Sequence, residues 1–186
     1  MAFYIELEHT PSEIVTLQEF KAQLKEVEPT LSHPEDALFQ GYVDAAVEEC
    51  EGYINRAIIV RKYKVLGKSF SEVIKNSLHT LQAIDSIEYK DVSGNLQTLE
   101  AAAYSIERVD KFENKVVFRE NFKLPEVQAY TPDAVQLFIT VGFEPLPKKI
   151  KQAVLLKAVA MDQMRGDYVK NKTTASERLL QSLKKY

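Results

Sequence analysis

Apolar residues recur at helical spacing through PEDALFQGYVDAAVEECEGYINR, residues 34–56. The pattern gives way at once to AIIVRKYKVL, where apolar and aromatic residues crowd as they do in a strand. Leu38, Ala45, Ala46, Cys50, Tyr53 and Ile54 mark one face of a single long helix, and acids fill the other. Ser32 and Glu35 have the spacing of a capping box, and Pro34 stands where a first-turn proline is tolerated. Upstream, FYIELE at 3–8 is a strand or an extended arm. Thr16 and Glu19 predict a second capping box, opening a helix to about Val27 that carries Leu17, Phe20 and Leu24 on one face.

Downstream of Ile58 the texture is that of strands. Ile84, Ile87 and Tyr89 lead into one ending near Lys90, the SGN turn returns the chain through Leu96–Glu100, and Tyr104–Val109 pairs with Lys115–Arg119 across DKFEN. AVQLFITVG, 134–142, is the clearest buried strand. Pro147 then opens a helix with Ile150, Val154, Ala158, Met161 and Met164 in a stripe, the methionines as core filler. A polar break precedes a short helix with Leu179, Leu180 and Leu183, whose leucines need a partner surface in this chain or in another. The expected fold is α+β and mainly helical. Helices fall near 16–27, 34–56, 148–165 and 174–184, and a small, largely antiparallel β unit is inserted between 58 and 142. All 186 residues form one domain with a tail segment at 171–186.

Charge changes the picture. Residues 1–60 hold three basic side chains (Lys21, Lys25, Arg56) against twelve acids, a balance of −9, whereas residues 147–186 hold ten basic against three acidic, or +7. One reading is that helix faces of opposite sign fold back onto each other. The other is a head-to-tail ring, in which opposite charges orient unlike faces of neighbouring subunits. No run of about 18 apolar residues exists, so no membrane span is expected. MAFYIELEH lacks the basic start and apolar middle of a signal peptide, so the chain is expected to stay where it is made.

Candidate chemistry is sparse. His9, His33 and His79 are too scattered for a metal site, and the single Cys50 lies among apolar neighbours, where a buried thiol is inert. No Ser/His/Asp arrangement, nucleophile elbow or HExxH motif occurs, and the six glycines form no phosphate-cradling loop. Neither an enzyme nor a cofactor is expected. Lys148, Lys149 and Lys151 crowd a helix start, where they oppose the helix dipole, while Lys170, Lys172, Arg178, Lys184 and Lys185 spread over the tail. Offset by the acidic front, these cations make a small DNA-binding regulatory protein a weak alternative.

The order of elements carries a resemblance. VTL at 15–17 opens a helix, an acidic long helix ends in EGYINRAII, and the IDSIEYKDVSGNLQTL hairpin follows. VQLFITVGF then leads into LPKKIKQAVLLKAVAMDQMRGD. From about Val15 to Leu183 the chain resembles the head–tail connector, or adaptor, family of tailed bacteriophages and their prophages, departing from the family pattern only around Phe70–Ser77. The resemblance implies a structural protein of the virion head–tail junction, assembled in the host cytoplasm. Such a protein forms a ring, typically twelvefold, on the portal protein, passes double-stranded DNA without specific binding, and docks a stopper or tail-completion protein. A stopper or tail-completion role for this chain itself is the alternative within the same setting. The C-terminal segment would reach the portal, with Leu179, Leu180 and Leu183 as anchors and Lys184 and Lys185 as rim charges. Asp36, Asp44, Glu48, Glu49 and Glu51 would face the channel, where acids repel the DNA backbone.

Overall fold

The structure, a computed structural model, describes residues 3–9, 14–24, 27–75, 80–109, 113–164 and 173–185. In chain order the elements are β1 (Phe3–His9), α1 (Leu17–Gln23), α2 (Asp36–Ile54), β2 (Arg61–Gly67), α3 (Phe70–Lys75), β3 (Leu81–Lys90), β4 (Leu96–Thr98), β5 (Tyr104–Arg108), β6 (Asn114–Phe118), β7 (Val135–Val141), α4 (Lys148–Gln163) and α5 (Ala175–Leu180). Short 3-10 turns occupy Ala101–Ala103 and Gln181–Leu183. The chain divides into two units. One gathers residues 1–11 and 59–144, the other residues 12–58 and 145–186.

The first unit is a sheet ordered β1-β2-β7-β3-β4, with every neighbouring pair antiparallel, and a separate β5–β6 hairpin. β7 lies at its centre because both of its edges are taken. Leu137 stands opposite Val65 on one side and Ile87 on the other, and Val135, Leu137, Ile139 and Val141 are all fully buried. These four buried residues alternate with Gln136, Phe138 and Thr140, of which Phe138 and Thr140 are half-buried, so one face of the strand is fully covered and the other only in part. Residues 70–75 form a short helix that presses on the sheet. Phe70 and Val73 are buried, the Phe70 ring lies 5.7 Å from both Tyr89 and Phe118, and a Cβ on Gly67 would sit 2.7 Å from a Val73 methyl. Gly142 ends β7 at φ +125°, where a Cβ would come within 2.7 Å of the Ile59 carbonyl, so only glycine fits this turn.

The second unit packs α2 against α4, with α1 and α5 completing the bundle. The core of α2 is Phe39, Val43, Ala46, Val47, Cys50 and Ile54. The expected stripe is rotated: Leu38 is 42% exposed and Ala45 half-buried. Aromatic anchoring sets the rotation, because Phe39 packs 5.6 Å from Phe20 and 5.3 Å from the His33 ring. In α4 the buried residues are Ile150, Ala153, Val154, Leu155 and Ala158, whereas Met161 is half-buried and Met164 is 49% exposed.

The architecture corrects one expectation. The protein is α+β, with about 37% helix and 27% strand among the described residues, and is not mainly helical. Three causes combine. FYIELEH is recruited as a full edge strand, α1 stops at Gln23 because Leu24 is extended, and the C-terminal helix has only six residues before a 3-10 turn. No described helix is long and apolar enough to cross a membrane.

Candidate functional site

The acidic and basic segments of the sequence meet inside the helical unit. Residues 12–58 and 145–186 together hold thirteen acidic and thirteen basic side chains, so this unit carries a formal charge of zero. Two ion pairs join the acidic segment to the basic one, and a third lies within the acidic segment. Lys151 reaches Glu19 at 2.5 Å, Lys157 pairs with Glu49, and the buried Lys21 meets Asp36 at 2.5 Å. Folding back of opposite faces therefore pairs Lys151 and Lys157 of the basic segment with Glu19 and Glu49 of the acidic one.

Local structure explains how these groups are held. The Thr16–Glu19 capping box forms as expected: the Glu19 N–H donates to Thr16 Oγ1 at 3.1 Å, and the Thr16 N–H donates to Glu19 Oε2 at 3.0 Å. The Lys151 ammonium and that backbone N–H hold the Glu19 carboxyl below the usual carboxylate range. The expected Ser32–Glu35 box does not form. Its place is taken one residue later, where the His33 N–H donates to Asp36 Oδ2 at 3.0 Å and the Glu35 N–H donates to His33 Nδ1 at 3.2 Å. Lys21, only 3% exposed, donates to the Leu31 carbonyl at 2.8 Å and so ties the 28–36 connection to α1. Its hydrogen bond to Asp36 is the main cause of that carboxyl's lowered pKa. Nothing in the sequence marks Lys21 for burial.

The five acids of the long helix thus part ways. Asp36 and Glu49 are in ion pairs within the chain, and Glu51 Oε1 accepts the Ile58 N–H at 2.7 Å where α2 hands over to the next segment. Asp44 accepts from Gln40 Nε2 at 2.9 Å, one turn before it, and remains exposed, as does Glu48 one turn after it. Glu49 is exposed as well, its side chain 53% accessible despite the pairing with Lys157.

The C-terminal leucines find their partner surface in this chain. Thr174 and Glu177 build a second complete capping box, a T-x-x-E signature that sequence reading passed over. It starts α5 so that Leu180 and Leu183 are each 1% exposed, while Leu179 is half-buried. The Lys185 N–H then donates to the Ile54 carbonyl at 2.9 Å, and the Lys184 ammonium lies 4.7 Å from the centre of the Tyr53 ring. The last described residues therefore cap the C-terminus of α2. Residues 171, 172 and 186 of the tail lie outside the described residues, as does His79.

A groove of about 500 Å³ runs between α2, α4 and α5, lined by Glu49, Cys50, Tyr53, Lys157, Ser176 and Leu180 among others. Burial pushes the Cys50 thiol up to about 11, so it stays protonated and unreactive at neutral pH, in keeping with a small apolar role. In the groove, Lys157 and Glu49 pair with each other, and Glu177 serves the cap of α5. Among the described residues no cluster of His, Cys, Asp and Glu is placed to hold a metal ion.

No protein-family model matches the chain, and no curated protein sequence matches it. Solved structures do. A chain from the neck of an empty gene transfer agent particle, computed with C6 symmetry, superposes with a TM-score of 0.76 at 19% identity over 99% of this chain and 96% of that one. A chain from the virion of a native gene transfer agent particle gives 0.75 at 19% identity over 98% and 95%. One from the neck of a native particle, computed with C12 symmetry, gives 0.72 at 18% identity over 99% and 96%. The protein has the fold of these particle chains along essentially its whole length.

Proposed function

We propose that this protein is a non-enzymatic structural component of the neck of a phage-like particle. In this reading it is a head–tail adaptor at the junction of capsid and tail. It assembles as a ring on the portal, extends the DNA channel, and offers a stopper or tail protein its docking surface. The observation that carries the reading is two-sided coverage. The likeness spans 99% of this chain and 96% of a neck chain, so the common fold includes both units rather than a widespread supersecondary fragment. The C12 and C6 symmetries of those necks favour a ring of twelve or six copies here. A neutral helical unit suits a DNA conduit, because a groove that gripped phosphates through lysine and arginine would impede passage. Since Leu180 and Leu183 are already buried in the chain, the adaptor reading needs no free hydrophobic hook at the C-terminus.

Co-sedimentation with the portal protein of the same particle, followed by negative-stain imaging, tests the proposal. A ring of added density beneath the portal is expected. Absence of binding, with the portal ring itself intact, would overturn the adaptor role.

A further inference from the structure

The start of α2 is held by an imidazole, and an imidazole nitrogen accepts a hydrogen bond in only one of its charge states. His33 makes three hydrogen bonds to the residues that open the helix. Its N–H donates to Asp36 Oδ2 at 3.0 Å, its carbonyl accepts the Asp36 N–H at 3.0 Å, and its ring Nδ1 accepts the Glu35 N–H at 3.2 Å. Pro34, between His33 and Glu35, has no N–H of its own. A helix supplies no partner for the N–H of its N-cap residue, which here is Glu35, so the ring does.

Nδ1 can take that N–H only while it carries no proton, which places the proton of the neutral ring on Nε2. In the imidazolium both nitrogens are donors, and two N–H groups would then face each other across 3.2 Å. The ring is half-buried and stacked on Phe39, with 5.3 Å between centres and 21° between planes. A cation is also attracted to an aromatic face, so the stack survives protonation. The ring can therefore keep its seat and turn about its Cβ–Cγ bond to carry Nδ1 away from Glu35. Among the described residues, the charged groups beside it are Glu35 and Asp36 at the start of α2 and Lys21 on α1. Asp36 already serves the His33 N–H and the Lys21 ammonium.

We propose that His33 is a proton-operated cap: neutral, it fastens the start of α2, and protonated, it releases the Glu35 N–H and loosens the 28–36 connection. The other capped helices of this unit are built differently. α1 and α5 start on Thr16 and Thr174, whose hydroxyls do not titrate, so pH in this range leaves their caps in place. Asp36 is held below the usual carboxylate range, with Lys21 as the main cause, and keeps its charge between pH 5 and 8, where imidazoles change theirs. A change at the start of α2 in that range therefore belongs to the ring of His33. The tie from Lys21 to the Leu31 carbonyl stays, so the release is local to the helix start.

The test follows amide–water exchange by NMR in the full chain between about pH 8 and pH 5, corrected for the intrinsic pH dependence of exchange. The His33 ring is titrated in the same samples through its carbon-bound protons. Protection of the Glu35 amide is expected to fall roughly two- to tenfold, the worth of one hydrogen bond, with the midpoint of the His33 titration. The Glu19 amide, held by Thr16 Oγ1, is the internal reference and is expected to stay constant. His33→Asn places a carbonyl oxygen where it can accept the same N–H in both conditions, and is expected to abolish the pH dependence at Glu35. Circular dichroism confirms the fold of the variant. Constant Glu35 protection while the His33 ring titrates would overturn the proposal. So would an equal loss at Glu19, which means general loosening, or a loss at Glu35 that persists unchanged in His33→Asn.

Discussion

The sheet unit and the helical unit are held together in different ways. In the sheet unit, β7 is paired along its length on both sides, and its apolar residues need nothing beyond correct register. In the helical unit the core is a set of apolar faces, but orientation comes from polar devices: two capping boxes, a buried lysine, and ion pairs that join α1 and α2 to α4. Apolar burial is large and undirected, whereas hydrogen bonds and ion pairs are individually small and directional. The first unit should therefore fail when volume is removed. The second should lose its arrangement when a polar contact is removed.

The largest effect belongs to the sheet. Ile139→Ala removes a fully buried side chain between Tyr63 and Ile84 on the flanking strands, and should cost about 2–5 kcal/mol in urea unfolding. A cost under about 1 kcal/mol would mean that β7 is not the centre of the unit. Next comes Lys21→Met, which keeps the stem volume but removes the ammonium that serves Leu31 and Asp36. The lost charged hydrogen bond to a carbonyl is worth about 1.5–3 kcal/mol. This change also bears on pH. The Asp36 and Glu19 carboxyls are held below their ordinary range, so their contribution is complete above about pH 4 and is lost as pH falls through their lower folded-state values. Thermal midpoints followed on acidification should fall in that window, and Lys21→Met should flatten the decline. An unchanged decline in the variant would remove the Lys21–Asp36 pair from the explanation.

The contrast also marks what could be read in advance. AVQLFITVG announces a buried strand because Val135, Leu137, Ile139 and Val141 alternate onto one fully covered face, and the SGN turn with its flanking strands appears as expected. Thr16–Glu19 works because a capping box is a local device, fixed by four consecutive residues. What stays hidden depends on distant partners. The rotation of α2 follows from Phe39 meeting Phe20 and His33, and no periodicity within 34–56 separates that face from the one through Leu38. The burial of Lys21 is set by a carbonyl ten residues away. FYIELEH is ambiguous by itself and becomes a strand because β2 offers it an edge. For the candidate site, the acids of the long helix are all visible in the sequence, yet only packing divides Asp44 and Glu48 from Asp36, Glu49 and Glu51.

A smaller effect sharpens the polar side of the comparison. Thr174→Ala and Thr16→Ala each remove a capping box and should each cost about 1 kcal/mol. Their consequences differ in place. Losing the Thr174 cap loosens a six-residue helix that depends on Leu180 and Leu183 for its seat, so hydrogen exchange should rise at 175–185 and at the carbonyl-capped end of α2. Losing the Thr16 cap should raise exchange in α1 instead. Equal exchange across both segments in either variant would contradict the separate roles assigned to the two boxes.

The smallest effect compares like with like across the units. Lys115–Glu107 is a cross-strand pair in the β5–β6 hairpin, with both side chains more than half exposed. Lys157–Glu49 joins α4 to α2, and its lysine is only 20% exposed. An exposed pair gives little because water competes for both charges and two long side chains must be ordered, so a double-mutant cycle on Lys115 and Glu107 should yield about 0–0.5 kcal/mol. Partial burial weakens that competition, and the helical pair should return a coupling nearer 1 kcal/mol that persists at high salt. Equal couplings would show that directional contacts matter no more in the helical unit than in the sheet, and the comparison would rest on packing alone.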